Sequence, residues 1–289
     1  MEWISTIIQG VLLGGLYALF ATGLSLIFGV MRLVNIAHGD FIVLAAFVAL
    51  GIVSGLGLHP FTSLVIVIPL MAALGYVLQR GLLNQTLGRD ILPPLLVTFG
   101  LSIILENVLL EIFSADSQRL QAGPLETASL SLPGDIAIGY FPLLIFVSAV
   151  VVIAGLQFVL FHTELGRLFR ATSDDQETAQ LMGIDNHHVF ALAMAIAFGV
   201  VAVAGVFMAI RTNFDPSVGP ARLIYAFEAV IIGGLGSPWG TLAGGVILGV
   251  SQAVGAKINP GWQILAGHVV FLAVLVVRPR GLFEKVQDL

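Results

Sequence analysis

Few residues of this sequence could do chemistry, and the acidic ones that stand out lie inside long apolar runs. Glu106 and Asn107 interrupt the run LSIILENVLLEIF, and Glu228 interrupts the run LIYAFEAVIIGGLGS. A charged side chain at the centre of a membrane-spanning helix costs about 2.5–3.5 kcal/mol to insert, so such residues mark functional candidates. They could line a substrate path, bind a coupling proton, or bond a neighbouring helix and only pack the bundle, and all three roles stay open.

A second polar stretch, MRLVNIAHGD at residues 31–40, joins two apolar runs. It could be a polar turn, in which Asn35 and Gly39 form the bend and Asp40 caps the following helix. Alternatively, Asn35 and His38 stand close to the bilayer edge, where the mouth of a translocation path needs hydrogen-bonding groups. The residue types agree with both interpretations.

Several classes of chemistry lack the residues they need. A self-powered ATPase needs a glycine-rich phosphate loop that ends in Gly-Lys-Ser/Thr, and the lysines Lys257 and Lys285 lie in no such motif. The six histidines have no metal-ligand spacing, and no Ser/His/Asp grouping suggests hydrolysis. We therefore predict that the chain is not an enzyme and itself binds no metal and no cofactor.

The elements that position these residues follow from composition. Hydrophobic residues make up 58% of the 289 residues and charged residues only 10%, against roughly 25% charged in soluble domains. Because a span needs about 20 apolar residues, we predict an all-α polytopic membrane protein, a single transmembrane domain over 1–289 with about eight to ten transmembrane or re-entrant helices. The predicted helices lie near 4–30, 38–56, 60–79, 91–113, 139–162, 188–210, 222–234, 239–256 and 261–277. The seventh is too short to cross alone, which predicts a re-entrant element around GGLGSPWG at 233–240.

The positive residues set the predicted orientation. If the C-terminal tail is cytoplasmic, eight of the 12 Lys and Arg residues fall inside. They are Arg32, Arg80, Arg89, Arg167, Arg170, Arg278, Arg280 and Lys285. The four that fall outside are Arg119, Arg211, Arg222 and Lys257. Since cytoplasmic loops carry the excess of cations, we expect the N-terminus outside and the C-terminus in the cytoplasm.

Two loops are long enough to carry structure. Residues 114–138 are polar with Pro and Gly punctuation, which predicts an external loop or short hairpin. In the cytoplasmic loop 163–187, Ser173 or Asp174 could cap a short helix that Gly183 ends.

Three longer segments carry a resemblance to a known family. They are GLYALFATGLSLIFGVMRLVNIAHGDFIVLAAF at 15–47, GRLFRATSDDQETAQLMGID at 166–185 and GGLGSPWGTLAGGVILG at 233–249, with RPRGLF at 278–283 also fitting. In this order they resemble the branched-chain amino acid permease family of bacterial ABC importers, and more closely the smaller of its two permease types.

The resemblance implies partners that composition cannot supply. It implies a path formed with a second permease chain, usually a larger relative, although a homodimer stays open. Two separate cytoplasmic ATPase subunits would bind ATP and Mg²⁺, and a periplasmic binding protein would deliver the solute at a bacterial inner membrane. No nucleic acid is expected. The helix at 174–184 would be the coupling helix that docks on the ATPase. The positions carried over to it are Asp175, Glu177, Ala179, Leu181, Gly183 and Ile184.

The solute and the transport class each keep an alternative. The resemblance favours leucine, isoleucine and valine, while related permeases carry urea, short amides and small organic acids. A chain of another class would be an ion-coupled secondary carrier or a channel, with a proton on Glu106 or Glu228. A self-contained carrier has no need of a helix that docks on an ATPase, so the segment 174–184 favours the importer.

Overall fold

The computed structural model describes residues 2–87, 92–132 and 136–283, so Arg89, Lys285 and the predicted helix start at 91 lie outside the described residues. The helices are α1 Glu2–Met31, α2 His38–Leu56, α3 Pro60–Gly81, α4 Leu92–Phe113, α5 Tyr140–His162, α6 Glu164–Asp174, α7 Gln176–Leu181, α8 Asn186–Arg211, α9 Gly219–Gly233, α10 Pro238–Ile258 and α11 Gln263–Val277. The strands are β1 Ser129–Leu132 and β2 Ile136–Gly139.

The apolar runs form helices because lipid offers no hydrogen-bond partners to the backbone. In a helix the N–H and C=O groups bond each other instead. Within the described ranges, eight helices are long and apolar enough to cross a membrane. The prediction of an all-α polytopic membrane protein is confirmed. Helix α9, with 15 residues, falls short of a full crossing.

Helices α1 and α8 form the core of the bundle, and glycines bring α1 against α10. A Cβ atom placed on Gly14 would lie 2.5 Å from the Val246 Cα, and one on Gly249 would lie 2.4 Å from the Gly10 carbonyl oxygen. The two backbones touch because a glycine without a side chain stands at each contact, the close packing that small residues give in membranes.

The bundle has two ends, which we name by what they carry. At the α7 end, the Ser173 hydroxyl on α6 donates to the Gly29 carbonyl at 2.7 Å, close to the last residue of α1. At the hairpin end, β1 and β2 pair antiparallel, and the Gln9 amide donates to the Ala137 carbonyl at 2.8 Å. The hairpin covers residues 129–139, one residue past the predicted loop 114–138, and its residues 133–135 lie outside the described residues.

Two basic residues that were predicted on opposite sides of the membrane, Arg80 and Lys257, form ion pairs at opposite ends of the bundle. Arg80 pairs with Asp185 at 3.8 Å beside the start of α8, whereas Lys257 pairs with Glu2 at 2.5 Å at the opposite end of the bundle. The assignment of the α7 end to the cytoplasm stays a prediction.

Two segments fold back into the bundle instead of turning at its ends. His38 Nε2 lies 2.8 Å from the Phe20 carbonyl oxygen, eleven residues before Met31, which is about 16 Å along α1. Residues 32–37 therefore return into the bundle, since six extended residues reach about 20 Å. Helix α9 also begins inside, because a Cβ atom on Gly39 would lie 2.0 Å from the Gly219 carbonyl oxygen.

This geometry corrects the predicted position of the re-entrant element. Residues 233–240 form a turn at the α7 end, where Gly234 and Gly236 have positive φ and the Leu282 N–H donates to the Ile232 carbonyl at 2.9 Å. The interruption precedes α9, at residues 212–218. Helix α9 is short because it starts in the interior and runs to one end.

Candidate translocation path and coupling surface

Except for the exposed Arg32, the stretch 31–40 is buried or half-buried, and it is not a turn at the bilayer edge. Asn35 and His38 are 0% exposed and Asp40 is 1% exposed. The Asn35 side chain does shape a local bend, because its Oδ1 accepts from the Ala37 N–H at 3.1 Å. The expected position at the bilayer edge is wrong because residues 32–37 return into the bundle, which the hydropathy of the flanking runs does not reveal.

Asp40 bonds a neighbouring helix and does not cap its own. Helix α2 starts at His38, and its N-terminus has no side-chain cap. The Ser102 hydroxyl on α4 donates to Asp40 Oδ2 at 2.5 Å. Glu106 follows one helical turn later on α4, and its carboxyl interacts electrostatically with that of Asp40. Sequence reasoning missed Ser102, although its spacing of four from Glu106 places both on one face of α4.

The N-terminal ends of α2 and α9 meet at this point, which we call the Asp40 junction (Asn35, His38, Gly39, Asp40, Gly219). Three of its polar atoms are buried without a hydrogen-bond partner in the described chain: Asn35 Nδ2, His38 Nδ1 and Asp40 Oδ1. Discontinuous helices whose ends meet inside the bundle are typical of transporter binding sites. His38 Nε2 donates to the Phe20 carbonyl, which leaves Nδ1 of a neutral ring as an acceptor. The junction can therefore offer a donor from Asn35 and acceptors from His38 and Asp40 to a solute or to water.

The other predicted path residues lie apart from the junction. The His268 ring on α11 hydrogen-bonds Glu228 through Nδ1, and the Glu228 side chain is 4% exposed. In the sequence His268 is only one of several scattered histidines, because two residues 40 positions apart on different helices give no local signal of their contact. Asn107 lies on the exposed face of α4, where its Nδ2 donates to the Ile103 carbonyl at 2.8 Å. The structure thus brings Asn35 and His38 together, places Glu106 at their border, and separates Glu228 and Asn107.

The predicted coupling segment consists of two helices with a different cap from the one expected. Asp174 ends α6, and Ser173 bonds Gly29 instead of capping. The cap of α7 is Asp175, whose Oδ1 accepts from the Glu177 and Thr178 N–H groups at 3.0 Å each. The Thr178 hydroxyl donates to Asp175 Oδ2 at 2.6 Å, and this hydrogen bond lowers the pKa of the Asp175 carboxyl.

Helix α7 presents an apolar pair at its end. Leu181 is 87% exposed and Met182 is 79% exposed, whereas Ala179 is 4% exposed. Gly183 closes the helix with φ +87°, and the Ile184 N–H returns to the Ala179 carbonyl at 3.1 Å.

The six carried-over positions therefore have different surroundings. Asp175, Glu177, Leu181 and Gly183 are exposed, while Ala179 is buried and Ile184 is half-buried. Asn186 fixes the segment to α8, because its Nδ2 donates to the Gln176 carbonyl at 2.8 Å. Large exposed apolar side chains on an anchored helix are suited to binding another protein.

Comparison with known proteins gives relatives over nearly the whole chain. The high-affinity branched-chain amino acid transport system permease protein BraD of Pseudomonas aeruginosa is 30% identical, covering 98% of this chain and 96% of BraD. The permease protein LivH of Escherichia coli K12 is 27% identical over 99% of this chain and 96% of LivH. A probable branched-chain amino acid transport permease protein LivH of Methanocaldococcus jannaschii is 26% identical over 96% of this chain and 91% of that protein.

No solved structure matches the chain. The family described as branched-chain amino acid transport system / permease component matches residues 6–277, which include every described span almost completely. The chain belongs to this family of permease components of branched-chain amino acid transport systems.

Proposed function

We propose that this chain is a transmembrane permease subunit of an ABC importer that moves branched-chain or other small hydrophobic amino acids across a bacterial inner membrane. The observation that carries the proposal is the match to permease components over residues 6–277. The solute crosses chemically unchanged, and the energy comes from partner subunits.

The proposed complex contains a second permease chain, two cytoplasmic ATPase subunits that hold ATP and Mg²⁺, and a periplasmic binding protein. The α7 end faces the cytoplasm in this arrangement. Support comes from the exposed pair Leu181 and Met182 on a helix that Asp175 caps and Asn186 anchors. This coupling surface docks on an ATPase subunit.

The proposed path passes the Asp40 junction, with Asn35 and His38 as its first candidate residues and Glu106 and Glu228 farther along. Because α2 and α9 both begin at the junction, movement of either helix changes the access of a solute to it. ATP binding on the partner subunits would bias two arrangements of these helices through α7.

Docking of α7 is tested with Leu181→Asp in the assembled complex in lipid vesicles. Gly183 is a poorer target, because its positive φ makes any side chain strain the turn. A charge at Leu181 removes an exposed apolar contact without opening the core, so we expect ATPase binding to weaken about tenfold or more. Leucine uptake should fall with it.

Leu130→Asp is the matched control, since Leu130 is 44% exposed on the hairpin at the opposite end of the bundle. Unchanged ATPase binding by Leu181→Asp would contradict the docking surface. Uptake of urea or acetamide in place of leucine by the unmodified complex would contradict the proposed solute, and uptake that continues without the ATPase subunits would favour an ion-coupled carrier.

A further inference from the structure

A second polar cluster surrounds the hydroxyl of Tyr17, which lies on α1 one turn before Phe20, the partner of His38. It consists of Tyr17, Arg211, Arg222, Tyr225 and Gln252, and we call it the Tyr17 cluster. The Tyr17 hydroxyl donates to Gln252 Oε1 at 2.5 Å, which joins α1 to α10. The Tyr225 ring of α9 lies 5.0 Å from the Tyr17 ring, centroid to centroid.

Two arginines approach this hydroxyl without any acidic partner. Arg211 is the last residue of α8 and Arg222 lies in the first turn of α9, so they flank the segment 212–218. Both residues are half-buried. Arg222 stands three residues before Tyr225, on the same face of α9, and the charges of both arginines act on the Tyr17 hydroxyl. Among the described residues, no carboxylate oxygen lies within 4.0 Å of either one. A neighbouring arginine, Arg119, does have such a partner in Glu126 at 2.8 Å.

The unpartnered atoms of the cluster are all donors. Arg211 Nη1, Arg222 Nε and Gln252 Nε2 are buried and have no hydrogen-bond partner in the described chain. Buried donors without acceptors are costly, and two guanidinium groups in one place repel each other. A carboxylate supplies two oxygens that accept several hydrogen bonds and neutralises one charge.

We propose that the Tyr17 cluster is a binding site for the carboxylate group of a small organic acid or amino acid. The inference rests on the proposed function in one respect only: if the chain transports amino acids, the group bound at this site is the α-carboxylate of the transported amino acid.

The test measures binding of radiolabelled L-leucine and isocaproate to the 289-residue chain in nanodiscs of phosphatidylcholine, without other subunits. Isocaproate keeps the carboxylate and lacks the amine, whereas L-leucinamide keeps the amine and lacks the carboxylate. We expect leucine and isocaproate to bind and leucinamide to bind about tenfold more weakly or not at all. A parallel measurement uses inorganic phosphate as the ligand. A general anion site, which would also bind a lipid headgroup phosphate, would bind it as well as isocaproate, whereas a carboxylate site would not.

Variants locate the site. Arg211→Gln and Arg222→Gln should each weaken isocaproate binding about tenfold, with partial recovery in Arg211→Lys. Arg119→Gln, which removes a cation already paired with Glu126 at the same end, should leave binding unchanged. The ligand series on the unmodified chain gives an answer even if a variant fails to fold.

Equal binding of leucinamide and leucine, equal binding of phosphate and isocaproate, or no binding of either carboxylate would each overturn the proposal. Full isocaproate binding by the Arg211→Gln/Arg222→Gln variant would overturn it as well. This binding assay needs no ATPase, so its result does not depend on the proposed function. The uptake experiment with Leu181→Asp and Leu130→Asp tests the proposed function separately.

Discussion

Gly39→Ala tests whether the ends of α2 and α9 must touch. A Cβ atom on Gly39 would lie 2.0 Å from the Gly219 carbonyl oxygen and 2.8 Å from the Leu223 nitrogen. Both contacts are to backbone atoms, which cannot rotate away as a side chain can. The methyl group therefore has to separate the two helices by more than 1 Å, since carbon and oxygen atoms approach to roughly 3.4 Å without repulsion.

The magnitude follows from a comparison within the same helix. Overfilling a packed interior costs about 1–3 kcal/mol, while replacing glycine by alanine inside a helix gains about 0.5–1 kcal/mol. Gly51→Ala is the matched control, because a Cβ atom on Gly51 would meet nothing within 4 Å. Gly39 lies in the first turn of α2 and gains no more helix propensity than Gly51 in its interior. The free energies of unfolding of the two variants should therefore differ by about 1–3 kcal/mol, mainly through the contact, with Gly39→Ala the less stable.

The assay is reversible unfolding of the purified chain in mixed detergent micelles, followed by circular dichroism. In the assembled complex, Gly39→Ala should also reduce leucine uptake, whereas Gly51→Ala should not. If the two variants unfold with equal free energies, the close approach of α2 and α9 does not exist in the folded protein, and the Asp40 junction loses its geometric basis.

Further predictions concern single contacts. Ser102→Ala removes the hydrogen bond to Asp40 Oδ2 and should lower the free energy of unfolding by about 1–3 kcal/mol; Ser54→Ala, whose hydroxyl bonds only the Leu50 carbonyl of its own helix, should change it little in the same assay. His268→Ala leaves the Glu228 carboxyl without its partner and should cost a similar amount, while Glu228→Leu/His268→Leu should recover part of the loss, measured by unfolding midpoints. The pKa of Asp175 is lowered in the folded chain by the Thr178 hydroxyl, so its capping of α7 should be complete above the ordinary carboxyl pKa and be lost as the pH falls through the lowered value. An NMR titration should show the Asp175 pKa rising towards the ordinary value in Thr178→Val, and an unchanged pKa would exclude the hydroxyl as the cause.

Local patterns determined much of this protein before any contact was known. Apolar runs of about 20 residues predicted the spans, because hydrophobic length and internal backbone pairing depend on the sequence of each run alone. Gly183 predicted the end of α7 correctly, since a left-handed residue is a local requirement. The predicted cap lies one or two residues too early, because Ser173, Asp174 and Asp175 are all good caps. The bond from Ser173 to Gly29 and the continuation of α6 to Asp174 leave Asp175 as the cap.

Tertiary structure decided the candidate sites. Apolarity shows that a run can lie in a membrane, but it does not show where the next run begins relative to it, so the return of residues 32–37 beside Phe20 could not be predicted. The partners Ser102 of Asp40 and His268 of Glu228 come from other helices. Arg211 and Arg222 could be assigned only to the predicted outer side of the membrane, and their approach to Tyr17 requires α9 to begin inside the bundle. The sequence by itself determined which segments are helices in a membrane, and the packing of those helices determined which polar groups meet, because distances between helices depend on side chains far apart in the chain.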